Sequence, residues 1–300
     1  MRSVVTATRL KNTHSGLKSG WLNGLTGVII FSGSLPATRI AVREMDPFFL
    51  TFSRASIAGV LAIMMILFLS QARPQRHQLI SLVVVAAGVV VGFPLLTAMA
   101  LQHVTSAHSI VFLGLLPMAT AIFGVIRGGD RPRLAFWIFS VAGSLLVMGF
   151  ALLQKGSVSV TGDLLMLASV VVCGLGYAEG AKLSRELGGW QVICWALIIS
   201  LPLMLVATLE TLPENMGGIS LQAWLSLGYV SLFSMLIGFI FWYRGLAAGG
   251  IAAVGQLQLL QPFFGLGLSA TLLSETVSPM MILITLGVIL CVVGSRRFAH

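Results

Sequence analysis

"MALQHVTSAHSIVFLGLLP" (residues 99–117) and "RGLAAGGIAAVGQLQLLQP" (residues 244–262) are two apolar runs that each close on a proline. Pro117 and Pro262 stand 145 residues apart. A second echo precedes them in each half: "ATRIAVRE" (37–44) and "GAKLSRE" (180–186), whose Arg43-Glu44 and Arg185-Glu186 pairs are 142 residues apart. Two motifs in the same order at nearly one offset read as an internal duplication.

Hydropathy says what is duplicated. A membrane-crossing helix needs about 20 mostly apolar residues. Ten stretches meet that need, near 20–41, 47–70, 78–101, 105–126, 134–154, 162–183, 190–209, 219–243, 250–273 and 278–295. Each is apolar on every face, without the period-two alternation of a membrane β-barrel. The expected fold is all-α and integral to the membrane, ten transmembrane helices as two five-helix repeats. The division is a tail at 1–19, a first repeat at 20–155 and a second at 156–296. Five is odd, so the second copy must enter the membrane from the opposite side. Inverted halves related by an axis in the membrane plane are the arrangement of secondary transporters.

Composition agrees. Of 300 residues, 57% are hydrophobic and 9% charged, against roughly 25% charged in soluble proteins. The net charge of +9 is explained by cytoplasmic loops rather than by nucleic acid. With the N-terminus inside, 14 Lys and Arg fall in inner segments and three (Arg39, Arg43 and Lys155) outside, with Arg54 left within a span. The expected location is the inner (plasma) membrane, multi-pass, both termini cytoplasmic. The first 20 residues carry Arg2, Arg9, Lys11 and Lys18 without the apolar core of a signal peptide. Trp21, Trp137, Trp190, Trp224 and Trp242 fall near span ends, as an interfacial aromatic belt requires. Cys173, Cys194 and Cys291 sit in apolar runs and read as small buried hydrophobes.

Ten spans in two sets of five, an "AL…A…L…P" pattern in helices four and nine, and Ser274-Glu275 ending helix nine resemble the drug/metabolite transporter superfamily, in its EamA-type exporter branch. The resemblance covers nearly the whole chain after residue 20. It implies a basket-like fold, a central cavity lined mainly by helices 1, 3, 4, 6, 8 and 9, and alternating access. Some family members carry an acidic residue before the helix-nine proline, where this chain has Gln261.

The polar residues inside the spans are the candidates for chemistry. "GQLQLLQPFFG" (255–265) holds three glutamines. Moving an amide into hydrocarbon without a partner costs about 4–8 kcal/mol, and an interhelical hydrogen bond returns about 0.6–2 kcal/mol. Gln258 and Gln261 are three apart and share a helix face, while Gln256 lies about 160° away from Gln258. The first two are expected to line the cavity, with helix–helix bonding as the other reading. His108 and Phe112 share a stripe of helix four ahead of Pro117, His108 being as well suited to an interfacial structural role as to substrate. Tyr177 and Glu179 lie in "GYAEG" of helix six. Glu179 is expected to pair with Lys182 three residues on, against the sharper reading of a proton-coupling carboxylate. Arg54 has three readings: snorkelling, bonding carbonyls, or clamping a substrate carboxylate. Ser34, Phe93 and Phe241 are candidates for cavity wall, and Pro117 and Pro262 for hinges.

The expected activity is export of small amphipathic metabolites, amino acids foremost and aromatic ones among them. The partners are a small-molecule substrate and the lipid bilayer, the chain acting as a monomer without nucleic acid. No histidine, cysteine or acid stands at metal-ligand spacing, so no metal and no cofactor is expected. An intramembrane enzyme would need an HExxH site, an aspartate pair or a serine–histidine dyad, and no such motif is present. Export of another metabolite or of a drug is the alternative within the transporter class, and a passive channel the alternative outside it.

Overall fold

A computed structural model describes residues 19–71, 73–104, 109, 112–153, 159–273 and 279–299. Regular structure among the described residues is entirely helical. We number the helices α1 to α10. The first, α1, covers residues 19–32 and, after a one-residue turn, Ser34–Ala41. Next come α2 (Pro47–Phe68) and α3, which is built of Arg76–Val85, a π-helical turn Ala86–Gly92 and Phe93–His103. The described part of α4 is helical at 109, 112 and 113, turns at 114–115 and continues as Leu116–Gly128, and α5 is Leu134–Leu153. The second half holds α6 (Val160–Leu187), α7 (Gly189–Glu210) and α8, built of Leu221–Tyr229, a π-helical turn Val230–Ile237 and Gly238–Gly249. It ends with α9 (Ile251–Gly255, a 3₁₀ stretch Gln256–Leu260 and Gln261–Leu273) and α10 (Pro279–Arg297).

Local chemistry sets these boundaries. The Asp46 carboxylate accepts from the backbone N–H groups of Phe48 (2.8 Å) and Phe49 (3.2 Å), and Pro47 supplies a first residue whose missing N–H is no loss. Ser159 and Ser220 cap α6 and α8 in the same way. The chain passes from α6 to α7 through Gly188 alone, at φ +97°, and from α8 to α9 through Gly250 alone, at φ +89°. A side chain at either turn would be strained.

Five of the helices, Pro47–Phe68, Gln78–His103, Val160–Leu187, Gly189–Glu210 and Leu221–Gly249, are long and apolar enough to cross a membrane. Leu116–Gly128 and Leu134–Gly149 are apolar but shorter among the described residues. Leu67, Phe68, Ile80, Leu203 and Leu290 are largely exposed. On helices of this length and hydropathy, such a surface suits a hydrocarbon surround.

Packing follows the duplication. Helices five places apart lie on one another, α2 on α7 and α5 on α10. The α3–α6 contact is matched by α8–α1. Both matched contacts are made backbone to backbone over glycine. A β-carbon on Gly88 of α3 would come 2.6 Å from the Val172 carbonyl of α6, and one on Gly245 of α8 would come 2.6 Å from the Gly24 nitrogen of α1. Small residues allow this approach where no hydrophobic effect drives helices together.

Candidate functional site

A narrow cleft lies between the helices, about 530 Å³ when the solvent space at its mouth is included. It is lined from α1, α3, α4, α6, α8 and α9, and by Arg54 from α2. Eight of the fourteen lining residues come in pairs across the repeat. Ser34 and Tyr177 are 143 residues apart, while Val89 and Ser234, Pro94 and Phe239, and Leu116 and Gln261 are each 145 apart. The two π-helical turns obey nearly the same offset, starting at Ala86 and Val230. Each delivers one residue, Val89 or Ser234, to the wall.

An aromatic cluster forms the floor. Phe31 packs edge-on to Phe239 (centroids 5.1 Å) and Trp242 (6.2 Å), Tyr177 lies 5.8 Å from Phe239 and 5.4 Å from Trp242, and Tyr243 lies 5.4 Å from Phe239. Trp242 was expected in an interfacial belt, yet it is fully buried in this floor. The run of apolar residues overstated how close the end of α8 lies to water. The Tyr243 hydroxyl donates to the Gly176 carbonyl at 3.2 Å, and Gly180 sits against the Tyr243 ring.

The three glutamines separate by role. Gln256 donates to Ser140 Oγ of α5 at 3.1 Å. Gln261 lines the cleft and donates to the Phe31 carbonyl at 3.4 Å. Gln258 is buried beside the Tyr177 hydroxyl, short of hydrogen-bonding geometry, and neither of its amide atoms has a partner. It is not part of the cleft wall. The Nε1 of Trp242 is likewise buried and unpartnered.

Pro117 and Pro262 are the second residues of Leu116–Gly128 and Gln261–Leu273. Each follows a break in its helix, a turn at residues 114–115 in one half and the 3₁₀ stretch in the other. They start helices rather than kink them, because a proline there gives up an N–H that had no partner.

Charged residues tie the two ends of the bundle. Glu179 is fully buried and accepts from Arg127 Nε of α4 at 2.7 Å and from Ser81 Oγ of α3 at 2.6 Å. Its hydrogen-bonding partners are thus on neighbouring helices, and not Lys182, the residue expected from spacing along α6. At the same end Asp130 meets Arg185 at 3.6 Å and accepts from the Ala252 N–H at 2.8 Å, and Glu186 accepts from Gln78 at 3.1 Å. Beyond the end of α1, Glu44 accepts from the Ser220 backbone N–H (2.6 Å) and from its hydroxyl (2.8 Å). These bonds, the backbone one first, hold the Glu44 carboxyl below the usual carboxylate range.

A model of the EamA-like transporter family matches residues 18–153 and, again, residues 160–296. The chain belongs to the EamA-like transporter family. It is 66% identical over 281 residues to an uncharacterized transporter of Bacillus subtilis, YdeK, covering 94% of this chain and 98% of that one. Identity is 22% to an uncharacterized transporter of Archaeoglobus fulgidus (79% and 83% covered) and 24% to one of Synechocystis (89% and 86%). A solved crystal structure superposes with a TM-score of 0.72 at 20% identity, covering 94% of this chain and 98% of that one, and so shares the fold.

Within this family member the structure brings Ser34, Arg54, Phe93, Tyr177 and Gln261 together on one cleft. It does not bring Phe112 or Phe241 there. Phe112 is half-buried against the core, and Phe241 is half-buried on another face of α8. His108 lies outside the described residues. Phe31, Thr38, Ser234 and Phe239 were missed, although adding the repeat offset to Val89 and Pro94 finds Ser234 and Phe239. Extrapolating α-helical phase through α8 fails because the π-helical turn inserts a residue and rotates the rest of the helix.

Proposed function

We propose that this transporter exports small amphipathic metabolites, amino acids and aromatic ones among them, by alternating access of two inverted halves in the plasma membrane. The observation that carries this reading is the pairing of cleft residues at a nearly constant offset across the duplication. A pseudo-two-fold axis in the membrane plane, passing through the cleft, relates the two halves in this reading. When they exchange conformations, the same cleft opens to the other side. Serine, threonine and glutamine supply polar ends for a solute, and Phe31, Phe93, Tyr177 and Phe239 supply its apolar walls.

The unpartnered Gln258 amide and the unpartnered Trp242 Nε1 of the aromatic floor support a second conformation. Polar atoms buried without partners in one state regain water when the floor parts. The charge distribution of the loops supports a cytoplasmic location for both termini.

The test is counterflow. Proteoliposomes preloaded with unlabelled phenylalanine, tyrosine or leucine are expected to accumulate the labelled solute transiently and saturably. A passive channel equilibrates label without overshoot, and that result refutes the carrier mechanism.

A further inference from the structure

Arg54 is the one basic residue that the loop charge count leaves within a span. It lies two turns into α2 and is 6% exposed. A snorkelling arginine reaches water, and an arginine used as helix glue gives its donors to carbonyls. Arg54 does neither. Its guanidinium reaches the cleft, where Nη2 donates to Ser234 Oγ of α8 at 3.3 Å. Ser234 in turn accepts from Ser34 Oγ at 2.7 Å. The Arg54 Nε is buried and has no partner.

Among the described residues the charge also lacks a counter-ion. The chain has nine acidic residues. Eight are described, and none of them pairs with Arg54; the ninth, Glu275, lies outside the described residues. A guanidinium stays protonated at any physiological pH, so it cannot relieve its burial by losing a proton. Nor does the fold demand a cation here. At the repeat offsets of 143 to 145 the second half carries Leu197, Ile198 and Ile199. Arg54 has no polar counterpart at the matching place in the second half.

Resting on the exporter reading, we infer that Arg54 is the receptor for the carboxylate of the transported solute, and that the cleft selects small monocarboxylates with an apolar or aromatic body. A carboxylate matches the guanidinium fork with two parallel N–H···O bonds and accepts further from the Ser34 and Ser234 hydroxyls. The rings of Phe31, Phe93 and Phe239 take the apolar body. No carboxylate of a described residue lines the cleft, so an amine receives no ion pair there, and a cationic solute meets the field of Arg54 unopposed. A single guanidinium suits one negative charge better than the two of a phosphate ester.

The test is equilibrium binding to the full-length purified protein in nanodiscs of zwitterionic lipid, by calorimetry and by ligand-induced shift in melting temperature. The probes are phenylalanine, 3-phenylpropionate, phenylalaninamide, phenethylamine and phenyl phosphate. The two carboxylates are expected to bind at least about tenfold more tightly than the amide, the amine and the phosphate ester. Arg54→Gln is expected to erase that preference while melting at or above the parent protein, since it removes an uncompensated charge. Arg54→Lys keeps the charge without the fork and is expected to fall between them. Equal binding of carboxylate and amide overturns the inference, as does tighter binding of phenyl phosphate or no binding of either carboxylate. So does retained selectivity in folded Arg54→Gln, or in Arg54→Lys if the glutamine variant does not fold. Counterflow separates this from the exporter reading. Counterflow of neutral or cationic solutes without a carboxylate preference refutes the role of Arg54 alone. Carboxylate-selective binding without counterflow refutes the carrier alone.

Discussion

Replacing each of the three glutamines of the 255–265 run by leucine has three different expected outcomes. The Gln258 amide is 1% exposed and both of its polar atoms lack partners. An amide in that state destabilises a protein by about 1–3 kcal/mol relative to an apolar group of the same shape. Gln258→Leu is therefore expected to stabilise by about that amount. Gln256 makes one interhelical bond, to Ser140, while its Oε1 is buried without a partner. Loss of the bond, about 0.6–1.7 kcal/mol, is offset by removal of that unpaired oxygen, so Gln256→Leu is expected to stay within about 1 kcal/mol of the parent. Gln261 lines the cleft and makes one long bond, to the Phe31 carbonyl. Its replacement is expected to stay within about 0.5 kcal/mol. The assay is unfolding of the purified variants in mild detergent, by SDS titration and by thermal melting, with counterflow run on the same preparations. Gln258→Leu is expected to be the most stable, with Gln256→Leu near the parent, and transport is expected to fall in Gln261→Leu without loss of fold. If Gln258→Leu is less stable than the parent, its amide has partners in the membrane and the reasoning from unpaired groups is refuted.

Breaking the buried Glu179–Arg127 pair is expected to cost about 1–3 kcal/mol in Glu179→Gln, the low end for such pairs because Arg127 is 44% exposed. Part of that loss is expected to return in the double variant Arg127→Met, Glu179→Leu. A double-mutant cycle that is additive within about 0.5 kcal/mol refutes the coupling. At the other end, Ser220 holds the Glu44 carboxyl below its usual range. A lowered carboxylate contributes stability that is present above its unfolded value, near 4.5, and lost as pH falls through the folded value. Glu44→Gln is thus expected to melt below the parent near pH 7 and to converge with it by about pH 3; a constant gap across that range refutes the assignment.

Membrane residence and the duplication were legible in the sequence because both rest on local composition. A span is a sum of residue hydropathies over about 20 positions, and a repeat offset survives drift at most single positions. The family match at residues 18–153 and 160–296 rests on the same information. Interhelical roles were not legible. Spacing along α6 pointed Glu179 to Lys182, while the fold supplies Arg127 and Ser81 from helices distant in sequence. Phase was equally hidden. The π-helical turns Ala86–Gly92 and Val230–Ile237 and the 3₁₀ stretch Gln256–Leu260 each rotate the residues beyond them. A wheel drawn at 3.6 residues per turn does not carry phase across such stretches; the structure lines the cleft with Phe239 rather than Phe241, and with Gln261 but not Gln258. Arg54 shows the division most plainly. The sequence marked it as a charge in the wrong medium. Only packing showed that its guanidinium ends in the central cleft, bonded to Ser234 and without a carboxylate from the described chain. Which face of a helix meets which neighbour depends on the whole bundle, and no window of sequence contains that.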